Sequence, residues 1–166
     1  MEYPNYKRVK SLSLRDIHIG DWVQVWRAEE ERYSPPLKIT QICVEGTVYL
    51  VSKDEDRGTP SEWVESIKNI DALPITEGVL LGFGFEKNGD FFSFKNSVFA
   101  IDKQLGVMDV IYIDKYGEST ELENIEYIHE LQQTLSEERN FIGDFNFKWK
   151  GLSNGKNVSR WFGERI

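Results

Sequence analysis

The feature that most constrains the fold is a series of short segments in which apolar and polar residues alternate, between Asp21 and Ile113. Successive side chains of a β-strand point to opposite faces, so this alternation predicts strands with one buried face. Short strands at regular spacing, separated by Gly, Pro, Asn and Asp, are typical of small barrels and antiparallel sheets. The sequence therefore predicts an α+β protein that is mainly β.

Residues 12–75 are predicted to form an SH3-like small β-barrel, because several short strands follow one another without helical periodicity. The clearest hairpin turns at Glu45-Gly46, between two runs rich in β-branched residues. The stretches 28–36 and 67–74 contain prolines and charged residues. They are therefore predicted to be a loop and a connector without strands.

Residues 76–140 are predicted to fold as a short helix, an antiparallel β-meander and a packing helix. Thr76 is placed as the N-cap of the short helix, and Asn88-Gly89 indicates a hairpin in the meander. The packing helix, with Asn124 as its cap, is predicted by apolar residues that recur at helical spacing and share one face. These residues are Ile125, Ile128, Leu131 and Leu135.

Trp22 and Trp26 alternate with Val23 and Val25 on the first predicted strand, so the two tryptophans share a face. They either pack between the barrel and the second part of the chain, or line a peptide groove as aromatic residues do in SH3-like barrels. The sequence favours packing without excluding the groove.

The last segment, residues 141–166, is predicted to be a hairpin with a basic and aromatic surface. It carries five basic and two acidic residues, whereas the whole chain has a net charge of -8. Bases combined with aromatic rings bind single-stranded nucleic acid through phosphate contacts and stacking. The alternative is that the aromatic side packs on the rest of the protein while the lysines face water. The candidate binding surface consists of Trp149, Lys150, Lys156, Arg160 and Trp161.

The sequence predicts no catalytic, cofactor-binding or metal-binding set. His129-Glu130 begins like the zinc-binding pattern H-E-x-x-H, but the second histidine is replaced by Gln133. Two histidines and one cysteine in the whole chain do not make an ordinary structural zinc site. Cys43 is expected to be a buried thiol in an apolar strand, and Gly82 to allow close packing between the short helix and the next strand. We therefore expect a binding protein rather than an enzyme.

The composition predicts a cytoplasmic protein without a membrane partner. No apolar stretch approaches the roughly 18 residues of a membrane span, and the first residues are polar and basic, unlike a secretory signal. The single cysteine cannot form an internal disulfide, which fits a reducing compartment.

Three segments resemble landmarks of an uncharacterised protein family of gut bacteria, their phages and other mobile elements. They are IGDWV at 19–23, LPITEGVLLGFGFEK at 73–87 and YIHELQQ at 127–133. The family's joint is similar to PIPLTEEWLLKFGFEK and its helix to YVHQLQN. The resemblance covers about residues 15–138 and does not include the basic segment from Phe141. After Gln133 the chain reads TLSEER in place of the family's aromatic run. It implies a small barrel, a joint, a meander and a helix in a mobile-element setting, and it implies no functional residues.

Three functions fit these observations. The leading hypothesis is a non-enzymatic protein-interaction module of a phage or mobile element, with an unidentified protein partner. The first alternative is contact with nucleic acid through the basic segment 141–166. The second is an acidic DNA mimic that inhibits a nucleic-acid enzyme. The net charge of the whole chain is -8, and residues 1–15 and 141–166 each carry +3. Residues 16–140 therefore carry a net charge of -14.

Overall fold

The protein is α+β and mainly β, which confirms the fold class predicted from the sequence. The described residues form two antiparallel sheets, one a curled half-barrel and the other a five-stranded meander, together with two α-helices. The structure is a computed structural model that describes residues 8–52, 61–94, 97–102, 109–113, 116–122, 125–136 and 148–150.

The half-barrel has the strand order β2-β1-β3-β4-β5, and β6 also pairs with β1. Its strands are β1 (Trp22–Arg27), β2 (Arg32–Tyr33), β3 (Leu37–Ile42), β4 (Thr47–Ser52), β5 (Ser61–Ser66) and β6 (Ile70–Ala72). Val23 pairs with Leu37 of β3 and with Ala72 of β6, so β1 lies between these two strands. The last strand therefore returns to the first, after a 3₁₀ turn at Ile67–Asn69.

The prediction that residues 67–74 form a connector without strands is wrong, because Ile70–Ala72 is strand β6. Besides pairing with β1, this strand meets the N-terminal segment, where Ala72 N donates a hydrogen bond to Lys10 O at 2.9 Å. Ile-Asp-Ala alternates, but three residues are too few to give a period-two signal, so the partner β1, distant in sequence, defines this strand. For the same reason the predicted loop 28–36 includes the two-residue strand β2.

The second sheet is a meander in the order β11-β10-β9-β8-β7. Its strands are β7 (Glu86–Asn88), β8 (Phe91–Phe94), β9 (Ser97–Asp102), β10 (Asp109–Ile113) and β11 (Ser119–Leu122). Gly89 has φ +65°, the left-handed region that a tight hairpin requires, so the predicted hairpin is confirmed. Its two-residue turn is Gly89-Asp90 and not Asn88-Gly89, because Asn88 ends β7 and pairs with Phe91. Strand β11 was not predicted, because its sequence is polar except for Leu122.

The two α-helices are α1 (Glu77–Gly82) and α2 (Ile128–Ser136). Thr76 caps α1 as predicted, since its Oγ1 accepts a hydrogen bond from Val79 N at 3.1 Å. The predicted apolar stripe is buried, but α2 begins at Ile128, so Ile125 packs in the core from the chain before the helix. Asn124 lies outside the described residues. Neither helix is long and apolar enough to cross a membrane.

Buried apolar residues form two clusters, which we call the aliphatic core and the aromatic core. The aliphatic core fills the half-barrel and contains Leu12, Ile17, Val23, Val25, Leu37, Ile39, Val48, Leu50, Ile70 and Ala72. The aromatic core contains Trp22, Leu73, Ile75, Val79, Leu80, Phe83, Phe85, Phe92, Phe99, Ile125, Ile128, Leu131, Leu135 and Trp149. The adjacent residues Trp22 and Val23 belong to different clusters, so β1 is the wall between them. The predicted division near residue 75 stays a prediction.

The three segments that carry the family resemblance meet where α2 packs on the half-barrel. The amide of Gln132 bridges the start of β1: its Oε1 accepts from Trp22 N at 2.9 Å and its Nε2 donates to Gly20 O at 3.0 Å. Ile128 N donates to Leu73 O at 2.8 Å. A side-chain amide thus takes the place of a strand partner, which fixes α2 on this side of the half-barrel.

Candidate binding surface

The structure describes two of the five residues of the predicted binding surface, Trp149 and Lys150. Trp149 is 3% exposed, whereas Lys150 is exposed. Lys156, Arg160 and Trp161 lie outside the described residues, so their part in a binding surface stays a prediction. Of the predicted hairpin, residues 148–150 are described, and they form neither helix nor strand.

Trp149 packs into a hollow that exists because residue 82 is a glycine. A Cβ at Gly82 would lie 2.9 Å from Cε3 of the indole ring and closer still to two further ring carbons, inside normal contact distance. The ring makes a T-shaped contact with Phe83 at a centroid distance of 5.1 Å, and Lys150 N donates to Gly82 O at 2.8 Å. Gly82 thus packs against this distant tryptophan rather than the next strand. The indole ring is not available to stack on a base.

Trp22 and Trp26 share a face of β1 but have different surroundings. Trp22 is buried in the aromatic core, where its ring makes a T-shaped contact with Phe83 at 5.1 Å. Trp26 is half-buried and makes a T-shaped contact with Tyr33 of β2 at 4.9 Å. Packing therefore accounts for Trp22, while the Trp26 ring keeps a partly exposed position beside β2.

An apolar pair lies on the outside of the half-barrel. Tyr49 of β4 and Val64 of β5 are directly opposite each other in the antiparallel pairing and are 37% and 58% exposed. They point outward because the alternate residues of β4 are buried in the aliphatic core. Val51, half-buried, and Glu62, exposed, form the next pair on the same side. We call Tyr49, Val51, Glu62 and Val64 the outer β4–β5 face.

Strand β5 is also an edge of its sheet, because within the described ranges it pairs with β4 alone. An edge strand presents unpaired backbone N–H and C=O groups to which another chain can add. Proteins commonly protect such edges with lysine, proline or a bulge. The sequence of β5, SEWVES, has neither lysine nor proline, and its charges are the carboxylates of Glu62 and Glu65.

Strand β6, unlike β5, is covered by another segment of the chain. Leu12 N donates to Ile70 O at 3.0 Å, so the N-terminal segment lies along β6. The guanidinium of Arg8 pairs with both oxygens of the buried Asp71 carboxylate, with Nε 3.0 Å from Oδ2. Tyr33 donates its hydroxyl proton to Asp71 at 2.6 Å, and burial with this hydrogen bond raises the tyrosine pKa. Buried charges held in this way belong to the scaffold.

A second buried polar group lies between α2 and the half-barrel. His129 is 4% exposed, and its Nδ1 has no hydrogen-bond partner in the described structure. Burial, together with the nearby charges of Lys10 and His18 and against that of Asp16, lowers the pKa of His129 to about 4. Nowhere in the described part do three His, Cys, Asp or Glu side chains gather to hold a metal ion.

The turn between β3 and β4 is more exposed than the sequence suggested. Cys43 was expected in a buried strand, but it follows β3 and is partly exposed. The next residue, Val44, is 97% exposed. The predicted hairpin is present, and Gly46 closes it with φ +105°. Its turn has three residues, Val44-Glu45-Gly46, and not the predicted two, because Cys43 N donates to Thr47 O at 2.8 Å. Val44 projects alone from a turn, so it does not form a face with other apolar residues.

Comparison of the chain with family models, with curated proteins and with solved structures found no match. The resemblance noted in the sequence therefore stays a prediction. The assignment of function depends on the geometry of the outer β4–β5 face.

Proposed function

We propose that this chain is a non-enzymatic protein-interaction module and that the outer β4–β5 face binds the partner. The observation that carries the proposal is the exposed pair formed by Tyr49 and Val64 on and beside an edge strand. Apolar residues scattered singly over a surface are normal, whereas neighbouring ones beside unpaired backbone groups are typical of an interaction site.

The rigidity of the two strands supports this proposal. Strands β4 and β5 pair over their whole length, from Thr47 with Ser66 to Ser52 with Ser61. Their inward residues, among them Leu50, pack in the aliphatic core. A face on packed strands keeps its shape before binding, which lowers the entropy lost on association. The phage or mobile-element setting is part of the proposal and depends on the family resemblance alone.

Capture experiments with matched variants test the proposal. The tagged full chain is compared with a Tyr49→Ser/Val64→Ser variant and with Val44→Ser, which removes a more exposed valine from the β3–β4 turn. We expect one set of proteins to be recovered from a lysate by the wild type and by Val44→Ser and to be lost with the double variant. Equal recovery with all three proteins, or a reproducibly empty capture, would contradict the proposal.

Contact with nucleic acid is a second candidate, because Lys148 and Lys150 are both exposed on the docked segment. With Trp149 buried, such contact relies on phosphates and therefore weakens steeply with salt. Binding of a fluorescent single-stranded oligonucleotide at about 50 and 200 mM salt measures this. We expect Lys148→Glu/Lys150→Glu to abolish the binding. A salt-independent or absent signal removes the candidate.

A further inference from the structure

We infer that the partner contributes an extended segment that adds to β5 as a further strand and carries basic residues on both sides of an apolar pair. This inference rests on the proposed function and names the class of partner. It follows from the backbone of β5, the order of its side chains and the charge of the chain.

The backbone gives the mode of binding. The N-terminal segment covers β6, whereas no described segment lies against the outward side of β5. A six-residue strand extends over about 20 Å, and about half of its backbone N–H and C=O groups point away from its one neighbour. Strand addition pairs these groups with a peptide backbone, and neighbouring side chains then supply selectivity.

The side chains of β5 give the chemistry of the partner. In sequence, Glu62 and Glu65 enclose Trp63 and Val64. Glu62 and Val64 lie on the outward side of β5, whereas Trp63 and Glu65 lie on the opposite side, across from the buried Leu50 and Val48. Residues directly opposite each other on paired strands face the same side of the sheet, where opposite charges attract and like charges repel. The segment that fits best therefore has a base opposite each glutamate and two apolar residues between them. This pattern reads the same in both directions, so it fits a parallel or an antiparallel partner.

The same charges disfavour a second copy of the chain as the occupant, but they do not disfavour the chain's own basic C-terminal residues. A second copy of the chain would bring another net charge of -8 and two more glutamates to the shared edge, without a basic residue from either β5. The chain's own basic residues 151–166 have the right sign. They follow Lys150, which is fixed on α1 by its hydrogen bond to Gly82. The experiment distinguishes a second copy and the chain's own C-terminal residues from a separate partner.

The test measures fluorescence anisotropy of a labelled ten-residue peptide, GSTKVYKTSG, with the full chain. The matched peptide GSTEVYETSG replaces both bases by acids. We expect the basic peptide to bind about tenfold or more tightly than the acidic one at low salt. The Glu62→Lys/Glu65→Lys variant should reverse this preference. Glu62→Lys alone, at an exposed position, should weaken it even if Glu65, half-buried, does not tolerate lysine.

N-methylation separates strand addition from side-chain contact. The N–H groups of adjacent residues in a strand point to opposite sides, so methylating either the valine or the tyrosine nitrogen of the basic peptide should abolish binding in one case only. Equal effects of the two methyl groups would overturn strand addition. Circular dichroism of each protein variant shows that it is folded.

The remaining outcomes overturn the inference in distinct ways. Equal affinity for the basic and acidic peptides removes the charge preference. Concentration-dependent dimerisation that Val64→Lys abolishes assigns the edge to a second copy, and tighter peptide binding after removal of residues 151–166 assigns it to the chain itself. If neither peptide binds while lysate capture still depends on Tyr49 and Val64, the inference fails and the proposed function stands.

Discussion

Two short stretches of this chain place apolar side chains between charged ones: Lys148-Trp149-Lys150 near the C-terminus and Glu62–Glu65 on β5. In the first, the tryptophan enters the aromatic core and is 3% exposed. In the second, Val64 stays 58% exposed beside an edge of the sheet. The sequence predicts a binding surface at the basic stretch, whereas the site that we propose lies at the acidic one.

The difference between the two stretches arises from residues far away in the chain. Trp149 is covered because Gly82 leaves a hollow of the right shape, and Phe83 lies beside it. No described residue covers Val64 in the same way, although Tyr49 lies directly opposite. Alternation thus shows which side chains share a face, and packing partners decide whether that face is buried.

The substitution Trp149→Ala should have the largest effect, and it tests whether the tryptophan of the basic stretch is buried. Removing a large aromatic side chain from a packed core leaves a cavity, and we expect the free energy of unfolding to fall by about 3–5 kcal/mol. Urea denaturation followed by circular dichroism measures this loss. A loss below about 1 kcal/mol would mean that Trp149 is a surface residue and would restore the sequence interpretation.

Lowering the pH tests whether His129 is buried in its neutral form between α2 and the half-barrel. The histidine pKa is about 4 in the folded chain and 6.5 in an unperturbed one, so the unfolded chain binds more protons between these values. Stability due to the neutral imidazole is therefore present above pH 6.5 and lost as pH falls towards 4. The difference amounts to roughly 3 kcal/mol.

Denaturation curves at several pH values, with His129→Met as control, measure this dependence. Methionine keeps an unbranched apolar side chain in the core, so this variant should lose the decline. Asp21 opposes the trend, since burial raises its pKa and favours the folded state at low pH. An unchanged decline in the His129→Met variant contradicts the assignment to this histidine.

Gly82→Ala tests the hollow itself. The added Cβ overlaps the Trp149 ring, so we expect a loss of about 1–3 kcal/mol, although alanine is the better helix former. In a Trp149→Ala background the overlap is gone, and the same substitution should stabilise the protein by up to about 1 kcal/mol. This change of sign in a double-mutant cycle identifies the contact directly. The same effect in both backgrounds would show that the two residues do not touch.

Val64→Thr should have the smallest effect on stability and a large effect on binding. The side chain is exposed and threonine keeps the β-branched shape, so we expect a change within about 0.5 kcal/mol. The affinity for the basic peptide should nevertheless fall, because the hydroxyl replaces an apolar contact. Unchanged affinity would place the binding surface elsewhere.

Much of this fold was predictable because its signals are local. The hairpins at Gly46 and Gly89 depend on residues that accept positive φ, and the stripe of α2 depends on helical spacing. Strand β6 was missed because it has only three residues and pairs with the distant β1, and β11 was missed because its sequence is polar except for Leu122. The start of α2 at Ile128 was missed because Ile125 is buried without being helical.

The candidate site was less predictable for a related reason. The burial of Trp149 depends on Gly82, which lies in a different element, and no sequence pattern links the two. The outer β4–β5 face left part of a signal, because alternation along β4 places Tyr49 on the side opposite to the buried Val48 and Leu50. The register that sets Val64 opposite Tyr49 belongs to the β4–β5 pairing, which the Glu45-Gly46 hairpin does not determine. That β5 stays at an edge follows only from the complete strand order.

Hydroxyl-radical footprinting of the full chain, read by mass spectrometry, tests the central claim most directly. Rates normalised to the unfolded chain should be low at Trp149, as at the buried Trp22, and high at Tyr49, as at Tyr116, which is 67% exposed. The basic peptide should then protect Tyr49 and leave Tyr116 unchanged. Fast oxidation of Trp149, or protection of Lys150 and its neighbours in place of Tyr49, would contradict the account.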